Sequence, residues 1–222
     1  MDRHFALTAL FALTCLAMPA SLAQEAASGQ KRIGNMTEGQ LNDKQIQLIQ
    51  KVSTYFNQMS SLKGDFVQTT VGGNRLRGKF YVKRPGRFRF DFDRPSRLVI
   101  VSDGQHVAIQ DHDLKTDDRW ALDQTPFGVL LREHVDLLRD ARFYEVEDAD
   151  DAIIISFEDK RQQAPGALKM FLAKKPTLEL KKWITKDLQG LDTTIELSGI
   201  VRTDNFPPDF FKAAPVALER LR

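Results

Sequence analysis

Cysteine is almost absent from this chain: Cys15 is the only one in 222 residues, and it sits in an N-terminal apolar run. No disulfide can brace the fold, which must hold together by its core. A dominant charge sign is lacking too. The net charge is +2, which argues against a nucleic-acid footprint. Beyond residue 23 no hydrophobic run approaches the length of a membrane span. There is no Gly-x-Ser-x-Gly elbow and no phosphate-cradling glycine loop. His4, His106, His112 and His134 are not paired at metal-ligand spacing. Asp111-His112-Asp113 has a ligating composition but reads better as a polar strand end before a turn. No metal or cofactor is expected, and no nucleophile–base pair stands out.

The N-terminus carries the strongest positive signal. Met1 to Ala23 read as a secretory signal peptide. An uncharged run extends from Phe5 to Met18, and Ser21-Leu22-Ala23 supplies small residues for cleavage before Gln24. A buried N-terminal helix is the alternative. Thr14 makes Cys15 a poor lipid-attachment site. The expectation is an exported, soluble protein. Residues 24–40 read as a flexible tether, and 41–222 as a single domain.

A helix is predicted from Asn42 to Ser61, with Asn42 or Asp43 as its cap. Ile46, Ile49, Val52, Phe56 and Met59 share one face, which suits core packing better than a partner surface. The period then switches to two. Leu62–Val71 is a first strand. In 75–83, Leu76, Gly78, Phe80 and Val82 alternate with basic residues and Tyr81. In 87–93, Phe88, Phe90 and Phe92 point inward. Two strands flank the Asp103-Gly104 turn. Further strands are predicted near 116–122, 143–147, 152–158, 168–174, 178–186 and 191–201. One helix interrupts them, capped by Thr125, with Pro126 in its first turn and an end near Asp140. Phe127, Leu130, Leu131, His134, Leu137 and Leu138 recur along it at helical spacing. The acidic run Glu145–Asp151 reads as a solvated hairpin. The basic outward faces of 75–89 read as a solvated sheet face, with an anionic partner as the alternative.

These elements predict a mainly β (α+β) fold: a large curled antiparallel sheet whose Phe-rich inner face is covered by helices. If the sheet half-closes, the helices form a lid over a hydrophobic cavity. Such a cavity in an exported protein suggests a lipid or a lipidated cargo.

Four motifs in order carry a family resemblance. They are Leu62-Lys63-Gly64-Asp65-Phe66-Val67-Gln68-Thr69, the stretch Gly78 to Phe90 with its Lys83-Arg84-Pro85 turn, Val101-Ser102-Asp103-Gly104, and Thr125-Pro126-Phe127. Together they resemble the outer-membrane lipoprotein carrier family, LolA, over about 50 to 210. The segment after Phe206, PPDFFKAAPVALERLR, departs from that family's pattern. The resemblance implies an unclosed barrel with a helical lid, acting as a monomeric periplasmic carrier and not as an enzyme. Its cargo would be outer-membrane-directed lipoproteins, bound by their acyl chains. They would arrive from an inner-membrane LolCDE-type transporter and pass to a LolB-type receptor or the outer membrane itself. The acyl-binding residues would be Phe66, Phe80, Val82, Phe88, Phe90, Phe92, Phe127, Leu130 and Leu131. Ile46, Ile49, Phe56, Pro126 and Phe127 would belong to the lid helices. On the residues alone Arg84 reads as an exposed turn arginine beside Lys83; the resemblance makes it the lid latch, bonded to lid carbonyls in the empty state. A carrier or sensor of another periplasmic lipid is an alternative, and a periplasmic lipid hydrolase a weaker one.

Overall fold

The computed structural model describes residues 41–161, 166–186 and 191–216. The expected signal peptide and tether lie outside the described residues. Helix α1 (Asp43–Gln58) begins at a capping box: the Asn42 side chain accepts from the Gln45 N–H at 2.9 Å, and Gln45 Oε1 accepts from the Asn42 N–H at 3.0 Å. The helix stops short of the expected Ser61. Met59 turns to extended geometry, and Ser61 is already paired with Lys83.

Eleven strands form one antiparallel sheet. They are β1 (Ser61–Thr70), β2 (Arg75–Lys83), β3 (Arg87–Phe92), β4 (Leu98–Asp103), β5 (His106–Asp111), β6 (Thr116–Ala121), β7 (Ala141–Asp148), β8 (Ala152–Asp159), β9 (Leu168–Ala173), β10 (Glu179–Lys186) and β11 (Asp192–Arg202). Every strand pairs with its sequence neighbours, with two exceptions. β1 also pairs with β11, and β6 does not pair with β7. The two free edges are therefore consecutive in the chain, and residues 122–140 link them.

Curling of the sheet is visible in its side chains. Phe90 on β3 and Trp183 on β10 have three strands between them, so a flat sheet would hold them about 19 Å apart. Their ring centroids are 6.3 Å apart. The sheet is a barrel left open between β6 and β7.

The linking segment is not the single helix that its periodicity predicts. Leu122–Gln124 is a 3₁₀ turn, followed by α2 (Gly128–Leu131) and α3 (Leu137–Asp140). Thr125 does not cap α2. Its buried hydroxyl donates back to the Leu122 carbonyl at 2.7 Å, which leaves Pro126 outside the helix. Arg132 takes extended geometry and ends α2; the Asp136 side chain then caps α3. The break puts Val135 in the core and leaves His134 exposed.

β4 and β5 are buried on both faces. Val101, Ala108 and Gln110 face away from Ile100 and Ile109, yet are as hidden. Residues 203–216 cross this outer side. Phe210 meets Tyr81 at 4.9 Å, Arg89 lies over the Phe210 ring, and Gln110 Nε2 donates to the Ala214 carbonyl at 2.6 Å. The expected solvated face of 75–89 is thus partly covered. Its cations also have partners, with Lys79 2.9 Å from Asp65 and Arg89 2.8 Å from Asp91.

The acidic run forms the β7–β8 hairpin, as expected, with Glu147, Asp148, Asp150 and Asp151 exposed, and it also has partners. Lys44 of α1 and Lys174 both pair with Asp148 and hold its carboxyl down at about 2. Gln45 Nε2 donates to the Val146 carbonyl at 3.2 Å. α1 is therefore fastened to β7.

Candidate functional site: a latched apolar cavity

A cavity of about 100 Å³ lies between the inner face of the sheet and the helices. Phe80, Val82, Phe88, Phe90 and Phe92 line it from β2 and β3, as their alternation predicts. Phe127, Leu130 and Leu131 line it from the linking segment, and Phe56 from α1. Of the expected acyl-binding residues only Phe66 does not reach it; of the expected lid-helix residues, Ile46 and Ile49 do lie on α1, whereas Pro126 lies outside α2. Ile49 is fully buried elsewhere in the core, and Ile46 is half-buried. Pro126 stays in its turn. Phe66 is buried, but its ring leans over Gly78, where an added Cβ would lie 2.7 Å from it. The rings of Phe90 and Phe92, 5.0 and 4.9 Å away, stand beside it in place of cavity space.

The opposite wall escaped sequence reasoning. Trp183, Met170, Ile195 and Leu197 form it, and Tyr55, Met59, Leu62 and Ile200 close one end. Thr193, Ile195 and Leu197 do alternate in sequence, so a face assignment for β11 was within reach. Trp183 was harder, because a register shift between Leu180 and Lys182 interrupts its strand. Phe127 meets Trp183 edge-on at 5.5 Å and joins the linking segment to that wall. Tyr55, Met59, Leu62 and Ile200 also border an open groove of about 600 Å³. They are the partition between the two spaces.

Arg84 sits where the two covering elements meet. Nη1 donates to the Phe56 carbonyl at the end of α1. Nη2 donates to the Arg132 carbonyl, and to that of Glu133 at 3.2 Å. Its backbone N–H donates to the Ser60 carbonyl at 2.9 Å. The turn is built for this approach. Gly86 has φ +69° and donates its N–H to the Leu131 carbonyl at 2.9 Å; a Cβ there would lie 2.8 Å from Gly104. Ser102 Oγ fixes the turn from below by donating to the Gly86 carbonyl at 2.8 Å. Burial pushes the Arg84 guanidinium pKa down, and its Nε is buried without a hydrogen-bond partner. Arg84 is therefore a half-buried clasp and not an exposed turn arginine.

No group of three or more potential metal ligands exists among the described residues. Asp111 accepts the N–H groups of Asp113 and Leu114 at 2.8 and 2.9 Å, so it shapes the turn.

The sequence profile described as "Outer membrane lipoprotein carrier protein LolA" matches residues 57–214. The chain belongs to the LolA family. It is 26% identical over 176 residues to an outer-membrane lipoprotein carrier protein of Nitrosomonas europaea, covering 75% of this chain and 84% of that one. To the protein of the same description from Pseudomonas putida it is 28% identical over 180 residues, covering 74% and 82%. Among solved structures, a LolA superfamily protein from Nitrosomonas europaea superposes with a TM-score of 0.45 at 10% identity, over 74% of this chain and 97% of that one. The LolA profile takes in the Arg84 turn, the Phe-rich strands and the linking segment. It also runs into the 203–216 segment, whose sequence had looked foreign to the family.

Proposed function

We propose that this chain is a periplasmic lipoprotein carrier. It takes acylated proteins released from the inner membrane by a LolCDE-type transporter and shields their acyl chains in the apolar cavity. It delivers them to a LolB-type receptor or directly to the outer membrane. It works as a monomer and catalyses no reaction. The need for a carrier is physical: each acyl CH₂ moved into water costs about 0.8 kcal/mol, so one long chain costs on the order of 10 kcal/mol.

The observation that supports this most is the pairing of an apolar cavity with a clasp across its cover. At about 100 Å³ the cavity is smaller than the ~150 Å³ that accepts a benzene ring. The clasped state therefore excludes an acyl chain. Loading must part α1 from the sheet, and moving Tyr55 and Met59 would merge the cavity with the groove beside it. Unloading is favoured because Arg84 can then close again on the Phe56, Arg132 and Glu133 carbonyls. Clasp and cargo compete, and the carrier lets go because the empty state has bonds of its own.

The test is extraction and transfer of a fluorescent triacylated lipopeptide between vesicles by the purified chain. The parent should extract it and hand it on. Arg84→Leu should extract it and retain it, since losing one shielded charge-assisted bond of about 1.5 kcal/mol shifts the balance roughly tenfold. A parent that extracts no lipopeptide would end the carrier reading. Unchanged release from a folded Arg84→Leu would return Arg84 to an ordinary turn residue.

A further inference from the structure

We infer that Arg132 is a positioning residue for the clasp: through ion pairs with two buried carboxylates it holds in place the carbonyls that Arg84 grips. The inference rests on the carrier reading and on Arg84 acting as its latch. Arg132 faces two ways. Its guanidinium reaches Asp159 Oδ2 at 2.6 Å and Asp140 Oδ2 at 3.0 Å. Its carbonyl, and that of Glu133, accept from Arg84.

Both carboxylates belong to the β7–β8 end of the sheet. Asp159 closes β8 and pairs with Ala141, the first residue of β7; Asp140 immediately precedes it. Arg84 comes from the β2–β3 turn. The cover is thus held to one half of the sheet by the Arg132 side chain, and to the other half by the bonds its backbone receives.

Asp140 does not depend on Arg132. Arg139 lies 2.8 Å and Arg161 3.0 Å from it. Asp159 is different: its side chain is wholly buried, its Oδ1 accepts the Arg161 backbone N–H at 2.9 Å, and among the described residues its ion pair is with Arg132. The pull of that pair coincides with the point where α2 stops. Arg132 leaves helical geometry at ψ 156°, so the carbonyls of Leu131, Arg132 and Glu133 do not continue a helix. They turn instead to Gly86 and Arg84. A carbonyl survives any change of its own side chain. A substitution at Arg132 can therefore affect the clasp only by moving the segment.

The experiment is a double-mutant cycle on lipopeptide release to acceptor vesicles of phosphatidylethanolamine and phosphatidylglycerol. Arg132→Gln alone leaves the Asp159 carboxylate buried and unpaired, which endangers folding. The working variant is therefore Arg132→Gln with Asp159→Asn, an uncharged pair of similar volume. Arg132→Lys serves as a second variant, since an ammonium cannot fork between two carboxylates. We expect the uncharged pair to slow release several-fold, up to the roughly tenfold of Arg84→Leu. Adding it to Arg84→Leu should slow release no further, and Arg132→Lys should lie between parent and uncharged pair. A merely structural role would lower thermal stability equally in both backgrounds and leave the release rates additive. If Arg84→Leu slows release while the uncharged pair releases like the parent, or if the two effects add in full, Arg132 does not position the clasp. The latch reading would survive that result. If Arg84→Leu itself releases normally, both fall together.

Discussion

Asn57 engages both ends of its side-chain amide with a single residue, Val135. Nδ2 donates to the Val135 carbonyl at 2.8 Å, and Oδ1 accepts its N–H at 2.9 Å. One turn earlier on α1, Ser53 Oγ accepts from the Leu137 N–H at 3.2 Å. α1 and the stretch from Val135 to Leu137 are thus stitched together.

Asn57→Ala should unstitch them. Two hydrogen bonds go, at about 0.5–1.5 kcal/mol each, so the thermal midpoint should fall by several degrees. The local signature is more telling than the midpoint. The Val135 amide should exchange with solvent faster, while amides in β8 and β9 keep their protection. Equal acceleration across the sheet would mean that Asn57 contributes to global stability without coupling the lid.

A carboxylate at position 90 would stand among Phe66, Phe80, Phe88 and Trp183, whose ring centroids lie 5.0 to 6.3 Å from that of Phe90. Phe90→Glu should therefore lose several kcal/mol of stability and all lipopeptide binding near neutral pH. The introduced acid would escape part of this by staying protonated, because burial raises its pKa. Its stability deficit should shrink as pH falls toward about 5. Thermal melts across that range check this. A pH-independent deficit, or normal binding, would mean that position 90 faces water.

Most of the strands could be read from the chain because alternation is a local signal. Phe80, Phe88 and Phe92 declare their face within their own strands, and the Asp103-Gly104 turn fixes a register by itself. Arg84 was legible only through the family's Lys-Arg-Pro turn. Nothing near it in sequence reveals that the carbonyls of Phe56 and Arg132 converge on it from 28 and 48 positions away. The single helix expected over 125–140 failed for a similar reason. Its spacing is helical, but Arg132 leaves helical geometry and its side chain pairs with Asp159, a residue at the end of β8. The 203–216 segment was opaque because its partners, Tyr81 and Gln110, lie on the outer face of distant strands.

Asp140 contributes to the acid limb of stability. Hydrogen bonds from Arg139, and from Arg161 next, outweigh the effect of burial and hold its carboxyl well below the usual carboxylate range. A depressed folded pKa contributes stability above the unfolded value of about 3.9, and that contribution is lost as pH falls through the folded one. Stability should therefore be level near neutrality and drop only in strong acid. Asp140→Asn should be less stable than the parent near neutral pH by up to about 3 kcal/mol, allowing for the exposure of Arg139 and Arg161. The gap should narrow below about pH 4. Urea midpoints at neutral and acid pH measure it, and a gap that stays constant would assign the loss to packing instead of charge.

Gln68 works against the cavity it lines. It stands in one row with Leu76, Ile195 and Trp183 across β2, β1, β11 and β10. It is 2% exposed, and its Oε1 has no hydrogen-bond partner. A buried polar atom left unsatisfied costs about 1–3 kcal/mol. Leucine at this position removes that cost at similar volume, so Gln68→Leu should raise stability by about 1 kcal/mol. For a carrier the gain has a consequence. A wholly apolar wall holds acyl chains more tightly, and tighter holding slows delivery. Paired measurements decide it: the urea midpoint of the empty chain, and the half-time of lipopeptide transfer to acceptor vesicles. Higher stability with slower transfer would mark Gln68 as a polar residue that keeps the cavity's grip releasable. Higher stability with unchanged transfer would place Gln68 out of reach of the cargo. Lower stability would mean that its amide satisfies a bond essential to the empty state.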